Sequence, residues 1–173
     1  MKTLIIYGTV EGQTGKIARF AADEIAKLGH EAVLIDANDS KEISFDGVEA
    51  ALLAGCLHQR RHPRTFEALL AAHAADLAPL KTLLLSVSIN AAFPDGHEEA
   101  REYVTQMEMR TGFKADADLL VGGALRIGEY DYFALQVVRH VVMRDRPFDA
   151  SKTEHEFTDW DAVAAQVADL VSS

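Results

Sequence analysis

The residues best placed to do chemistry stand near the start of the chain. Thr9-Val10-Glu11-Gly12-Gln13-Thr14 joins an apolar run, Leu4-Ile5-Ile6-Tyr7, to a segment whose apolar residues recur at Ile17, Ala21, Ile25 and Leu28. An unbroken apolar run followed by helical spacing predicts a buried strand, a tight loop and a helix. Such a loop aims the unpaired N–H groups of a helix N-terminus at one point, and phosphate is the natural occupant of that point. Two familiar phosphate motifs fail here. The nucleotide P-loop needs a Ser or Thr after Gly-Lys, but Gly15-Lys16 is followed by Ile17, and position 10 is Val rather than Gly. The dinucleotide Gly-x-Gly-x-x-Gly is absent as well. What stands is Thr9-x-x-Gly12-x-Thr14, which offers two hydroxyls and oriented amides without a lysine. The plainer alternative is an ordinary, well-capped strand-to-helix turn.

Other reactive side chains carry less. Arg60, Arg61 and Arg64 cluster in one loop, and Arg126 stands alone further on. Arginines suit carboxylates and phosphates, although such a cluster is equally at home on a solvated loop. His58 and His62 have metal-like spacing only on a helix, and no carboxylate or cysteine pattern joins them. Cys56 ends an apolar run and reads as a small core residue. His73 falls on an apolar helix face, and Asp95, Glu98, Glu99 and Glu102 suit the solvated start of a helix. No catalytic triad is visible.

With 173 residues, 49% hydrophobic and 25% charged, the chain reads as one globular domain spanning 1–173. A net charge of −10 excludes nucleic acid as an expected partner. One cysteine permits no internal disulfide, so a reducing compartment is expected. The N-terminal apolar run is too short for a signal peptide, and no run approaches the ~18–20 residues of a spanning helix. The expected location is cytoplasmic, or peripheral on the membrane surface.

Strands and helices alternate to position these residues. Strands are expected at 4–7, 32–35, 48–54, 83–87 and 117–121, and helices after Thr14, from Pro63, over 97–110 and from Thr158. Thr158-x-x-Asp161 reads as a capping box. This alternation predicts an α/β fold with a doubly wound, five-stranded parallel sheet in the order 2-1-3-4-5. Ligands then bind outside the carboxyl ends of strands one and three, where the winding reverses. The loops meeting there are 9–14 and 56–63, with 88–93 beside them. The segment 124–157 exceeds what this fold needs. Within it, 130–144 reads as a helix with Tyr130, Phe133, Ala134, Val137, Val138 and Val141 on one face. Such a helix covers the site, packs on a second copy as a homodimer, or lies on a membrane.

Ile5-Ile6-Tyr7 followed by Thr9-x-x-Gly12-x-Thr14 resembles the N-terminal signature of flavodoxins, except that Ala21 replaces a larger aliphatic. That resemblance implies FMN, with its phosphate in loop 9–14. It places Thr9, Val10, Glu11, Gly12, Gln13 and Thr14 at the cofactor, together with Leu57, His58, Gln59, Ser88, Ile89 and Asn90. A narrower likeness runs through Met1-Lys2-Thr3-Leu4-Ile5, Gly12-Gln13-Thr14, Ser86-Val87-Ser88, Gly123-Ala124-Leu125-Arg126 and Phe157-Thr158-Asp159-Trp160. These are similar to the bacterial flavodoxin-like, quinone-linked protoporphyrinogen dehydrogenases. That family implies oxidation of a porphyrinogen in haem synthesis with a quinone as acceptor; porphyrinogen propionates are anionic, so Arg60, Arg61, Arg64 and Arg126 are the candidate partners for them, unless they only serve a solvated loop. Leu57-His58-Gln59-Arg60 stands where the family carries Ile-Arg-Tyr-Gly, which leaves His58 as the aromatic for the flavin ring. The alternatives are an acidic flavodoxin-type carrier docking on a redox partner protein, and an FMN-dependent quinone reductase. A phosphorylatable receiver is excluded, because Gly8-Thr9 and Cys56-Leu57 occupy its acidic positions.

Overall fold

The computed structural model describes residues 1–39, 41–147, 149 and 151–172; Ser40, Phe148, Ala150 and Ser173 lie outside the described residues. Five apolar segments form the sheet: β1 (Lys2–Gly8), β2 (Glu31–Asp36), β3 (Ala50–Cys56), β4 (Lys81–Ser88) and β5 (Ala117–Gly122). All pair in parallel, in the order β2-β1-β3-β4-β5 expected from the alternation of elements. β3 begins later than Val48, because the Val48 N–H closes a turn onto the Phe45 carbonyl.

The sheet is buried on both faces, as its unbroken apolar strands require. Ile5, Leu52, Leu83 and Leu85 face a layer made by α1 (Gln13–Lys27) and α6 (Trp160–Val171), through Ile17, Ala21, Ile25, Val163, Val167 and Leu170. Leu4, Ile6, Leu53 and Leu84 face α2 (Arg64–Ala72), α3 (Ala74–Leu77) and α4 (His97–Thr111), through Phe66, Leu70, Leu77, Val104 and Met107. The helix expected from Pro63 is broken at His73, which leaves helical geometry with φ −109° and ψ 18°. Its ring packs on Phe45 and its Nδ1 meets the Asp76 carboxylate at 3.0 Å.

The cap of α6 differs from the expected box. Asp159 is the N-cap and accepts the Ala162 N–H at 3.0 Å. Thr158 turns inward instead, and its hydroxyl donates to the Gly122 carbonyl at 2.6 Å. The segment after β5 holds β6 (Ala124–Leu125) paired antiparallel with β7 (His155–Glu156), and α5 (Tyr132–Val137) continuing into a π turn at Val138–Val142. The apolar face expected over 130–144 divides: Val138 is buried and Tyr130 packs beside it, while Phe133, Val137 and Val141 stay exposed. Val138 and Met143 pack inward with Leu125, Ile89 and Phe157, whereas Tyr132, Phe133, Val137 and Val141 are exposed. The π turn adds a residue to the helical repeat after Val137 and brings Met143 inward beside Val138. Among the described residues, no helix is long and apolar enough to cross a membrane.

One buried charge ties the α2–α4 layer together. Glu67, 4% exposed, takes hydrogen bonds from Arg110 at 2.7 and 3.2 Å and from Arg61 at 3.1 Å. Burial alone would raise its carboxyl, but the hydrogen bonds and charges of Arg110 and Arg61 outweigh it, and the pKa falls below the ordinary value. A depressed carboxyl contributes stability above its unfolded pKa and loses it as pH falls through the folded one. Both arginine side chains keep a third or more of their surface in water, at 39% and 34%, which moderates the effect of breaking the cluster. Glu67→Gln is expected to lower unfolding free energy by about 2 kcal/mol at pH 7. Urea unfolding of both proteins should show that difference shrinking toward pH 3.

Candidate functional site

The loop between β1 and α1 is held by its own backbone chemistry. Gly12 has φ 95°, a left-handed conformation that side chains resist, and its N–H donates to the Thr9 hydroxyl at 2.9 Å. α1 then starts at Gln13 with no side-chain cap and no acidic residue in its first turn. Its first intrahelical bond is Lys16 N–H to the Gly12 carbonyl at 3.1 Å, so the N–H groups of Gln13, Thr14 and Gly15 have no partner within the helix. Gln13, Thr14 and Gly15 are buried. The Thr14 hydroxyl is 1% exposed and, among the described residues, makes no hydrogen bond of good geometry; its neighbour is the weakly bonding Cys56 thiol. The Gln13 Oε1 is unpartnered too, while its Nε2 donates to Glu156 at 3.1 Å and Thr158 at 3.0 Å. Burial pushes the Cys56 thiol up, with the Val10 backbone the first of the groups opposing it. A buried polar group without a partner costs about 1–3 kcal/mol, so orphaned acceptors and donors in one loop mark a place built for a ligand.

The insertion closes over this loop. Tyr130 donates its hydroxyl to the Glu11 carboxylate at 2.7 Å and accepts the Arg126 N–H at 3.2 Å. Burial, then the Glu11 hydrogen bond, pushes the Tyr130 pKa up to about 12. The Arg126 guanidinium lies against Gly12, with a nitrogen 3.2 Å from where a Cβ would stand.

The loop after β3 is a tight turn. His58 and Arg61 exchange backbone hydrogen bonds at 2.9 and 3.2 Å, and Gln59 and Arg60 between them have φ 50° and 66°. Two consecutive positive φ values on non-glycine residues are strained. Leu57 is half-buried and His58, Gln59 and Arg60 are exposed. Arg60 Nε donates to the Tyr103 hydroxyl at 3.0 Å, and its guanidinium meets Glu99. Arg61 is engaged by Glu67 beneath the loop, and Arg64 is exposed on the first turn of α2.

The loop after β4 is held from both sides. The Ser88 hydroxyl accepts the Ala91 N–H at 3.1 Å, and Ile89 packs against the insertion. Asn90 donates to Glu99 at 3.0 Å and accepts from Arg146 at 3.1 Å. Arg146 also binds Asp95 at 3.0 and 3.2 Å and lies 4.6 Å from the Phe93 ring centre. The topology therefore brings 9–14, 57–59 and 88–90 to the carboxyl ends of three adjacent strands. Tyr130 and Arg146 were not legible at this end of the sheet, because their partners stand far off in the chain: Glu11 is 119 residues from Tyr130, and Asp95 is 51 from Arg146. Among the described residues, no three His, Cys, Asp or Glu side chains gather as a metal site.

Sheet order, an uncapped α1 and the glycine turn before it define a flavodoxin-like protein. Residues 4–151 match the family described as the flavodoxin domain, and the chain belongs to that family. Among curated proteins it is similar to protoporphyrinogen IX dehydrogenase (quinone) of Escherichia coli strain K12, at 24% identity over 165 residues, 95% of this chain and 91% of that protein. Among solved structures it resembles oxidised flavodoxin 1 from Bacillus cereus, with a TM-score of 0.58 at 17% identity over 99% of this chain and 97% of the other. It also resembles a cysteine-to-alanine mutant of flavodoxin from Pseudomonas aeruginosa, with a TM-score of 0.56 at 16% identity, covering 99% of this chain and 100% of that one.

Beneath the β3 turn lies a buried imidazole. His62 is 1% exposed, its Nε2 is 3.0 Å from the Ser86 hydroxyl, and its Nδ1 has no partner among the described residues. Burial pushes its pKa down to about 4, with Glu67 opposing and Arg110 assisting. The unfolded chain therefore binds a proton that the folded one refuses, and the stability from this group is full above about 6.5 and declines as pH falls toward 4. The expected decline is about 3 kcal/mol. A histidine NMR titration should show the His62 ring neutral at pH 5, and His62→Asn should remove most of the slope in unfolding free energy; a midpoint near 6.5 would contradict this.

Proposed function

We propose that this chain is an FMN-dependent oxidoreductase that oxidises a porphyrinogen such as protoporphyrinogen IX and passes the electrons to a quinone. The observation that carries the cofactor is the Gly12–Gly15 cradle, with its unpaired N–H groups and the buried, unpartnered Thr14 hydroxyl. Those groups fit a phosphate monoester. FMN, when bound, supplies the electron exchange; the protein supplies position and electrostatics. In this reading Thr9, Val10, Glu11, Gly12, Gln13 and Thr14 surround the phosphate. Leu57, His58, Gln59, Ser88, Ile89 and Asn90 border the ring. The turn at 58–61 and the Glu99–Asn90–Arg146 contacts hold those borders without ligand, so little ordering remains to be done on binding.

Support for the substrate is the likeness to the Escherichia coli dehydrogenase, which extends over most of both chains. Porphyrinogen propionates are anionic, and Arg60 and Arg64 are exposed cations at this edge. Arg61 is the weaker candidate, because Glu67 engages it. The exposed Tyr132, Phe133, Val137 and Val141 support contact with an apolar acceptor, a membrane surface or a second copy; the location proposed with this reading is cytoplasmic, with peripheral membrane contact through those side chains. A net charge of −10 favours a second reading, an electron carrier that docks on a basic redox protein.

The purified protein is expected to hold one FMN per chain and, under anaerobic conditions, to oxidise protoporphyrinogen IX when menaquinone is supplied. Thr14→Val should weaken FMN about tenfold through loss of a hydrogen bond to a charged group. Failure to bind flavin would sink both readings. Flavin binding without porphyrinogen oxidation, alongside rapid exchange with a ferredoxin reductase, would favour the carrier.

A further inference from the structure

Taking FMN as the ligand of the β1–α1 loop, we infer that Arg126 is a phosphate ligand: a guanidinium supplied by the segment after β5 to a cradle otherwise made of amides and hydroxyls. A Cβ on Gly12 would stand 3.2 Å from one terminal nitrogen of Arg126 and 3.6 Å from the other. Gly12 is the residue immediately before α1, so this cation lies at the uncapped end of the helix. Among the described residues the guanidinium makes no hydrogen bond and no ion pair, whereas Arg60, Arg61, Arg101, Arg110 and Arg146 are each engaged by a carboxylate.

Its placement is built rather than incidental. The Arg126 backbone N–H is bound by the Tyr130 hydroxyl, which donates onward to Glu11 in the loop itself. One tyrosine thus fixes the arginine to the loop and occupies the carboxylate that would compete for it. A second, independent feature points to the same ligand. The Thr14 hydroxyl, a donor buried in the first turn of α1, lacks an acceptor among the described residues. A helix N-terminus with no acidic residue, beside an unpaired guanidinium, concentrates positive potential that a dianionic phosphate monoester neutralises. A porphyrinogen propionate would also satisfy a guanidinium, but Arg126 lies at the phosphate loop rather than beside the 58–61 turn with Arg60 and Arg64.

The consequence is a cofactor specificity that depends on charge. Riboflavin, which lacks the phosphate, serves as the control ligand. Dissociation constants for FMN and riboflavin are measured by flavin fluorescence on the wild-type chain, Arg126→Gln and Arg126→Lys. Arg126→Gln should weaken FMN roughly 10- to 100-fold and leave riboflavin unchanged, with Arg126→Lys between the two. The wild-type preference for FMN should also fall more steeply with salt than that of Arg126→Gln. Equal weakening of both ligands would overturn the inference by showing that Arg126 only shapes the loop. Unchanged FMN affinity with a raised KM for protoporphyrinogen IX would overturn it in favour of a substrate contact. In both of those outcomes wild-type FMN binding survives, which separates them from failure of the flavin reading itself, where the wild-type chain binds neither ligand.

Discussion

The constraint on which the site depends is the uncompensated N-terminus of α1. A fifteen-residue helix begins with three buried residues whose N–H groups have no partner in the helix, preceded by a glycine in a conformation that other residues resist. Water is largely kept out of this turn, so the potential there is not dissipated as it would be on the surface. The turn is tolerated only because β1 and α1 are fastened elsewhere: Ile5, Ile17, Ala21 and Ile25 are fully buried against β3 and α6. Stability is supplied by the sheet and its two helical layers, and the loop can be left incomplete for a ligand to finish.

The segment after β5 converts this common arrangement into a particular one. Besides Arg126, three of its side chains reach back to the site by different chemistry. Tyr130 takes Glu11, Glu156 takes Gln13 and Lys16, and Arg146 takes Asn90 and Asp95. Each contact ties the segment to a different site loop or to the helix start, so its position and the geometry of those loops are mutually dependent. Its own anchorage is small, a pair of two-residue strands and the cluster of Leu125, Val138 and Met143. The exposed aromatic and aliphatic side chains of Tyr132–Val141 are then held beside the site by polar contacts more than by burial.

Much of this was legible in the residues. Unbroken apolar strands such as Leu83-Leu84-Leu85 and the periodic stripe of α1 determine the parallel sheet, its order and its two-sided core, because a strand buried on both faces leaves no alternation to misread. Gly12 was legible because only a glycine readily takes that φ. The failures share one cause. Thr158 and Asp159 are both good caps by type, and the choice between them is made by the Gly122 carbonyl and Gln13, distant in sequence. Within 130–144 the sequence did not show that Met143 joins Val138 in the buried cluster, because the π turn at Val138–Val142 changes the period on which such a reading rests. Arg61 and Arg126 look alike in a sequence; Glu67 engages one and leaves the other's counterpart to be found.

The proposed flavin site lies at the carboxyl ends of β1, β3 and β4, with the phosphate end proposed at Gly12–Gly15. Amide NMR on the labelled chain tests it most directly, by titration with FMN. The largest shifts are expected on 10–15, with further shifts on 57–60 and 88–90, while helix amides on the far side of the sheet stay still. Shifts confined to another surface, such as the groove lined by Lys16, Arg19, Phe20, Asp23 and Trp160, or no shifts at saturating FMN, would contradict it.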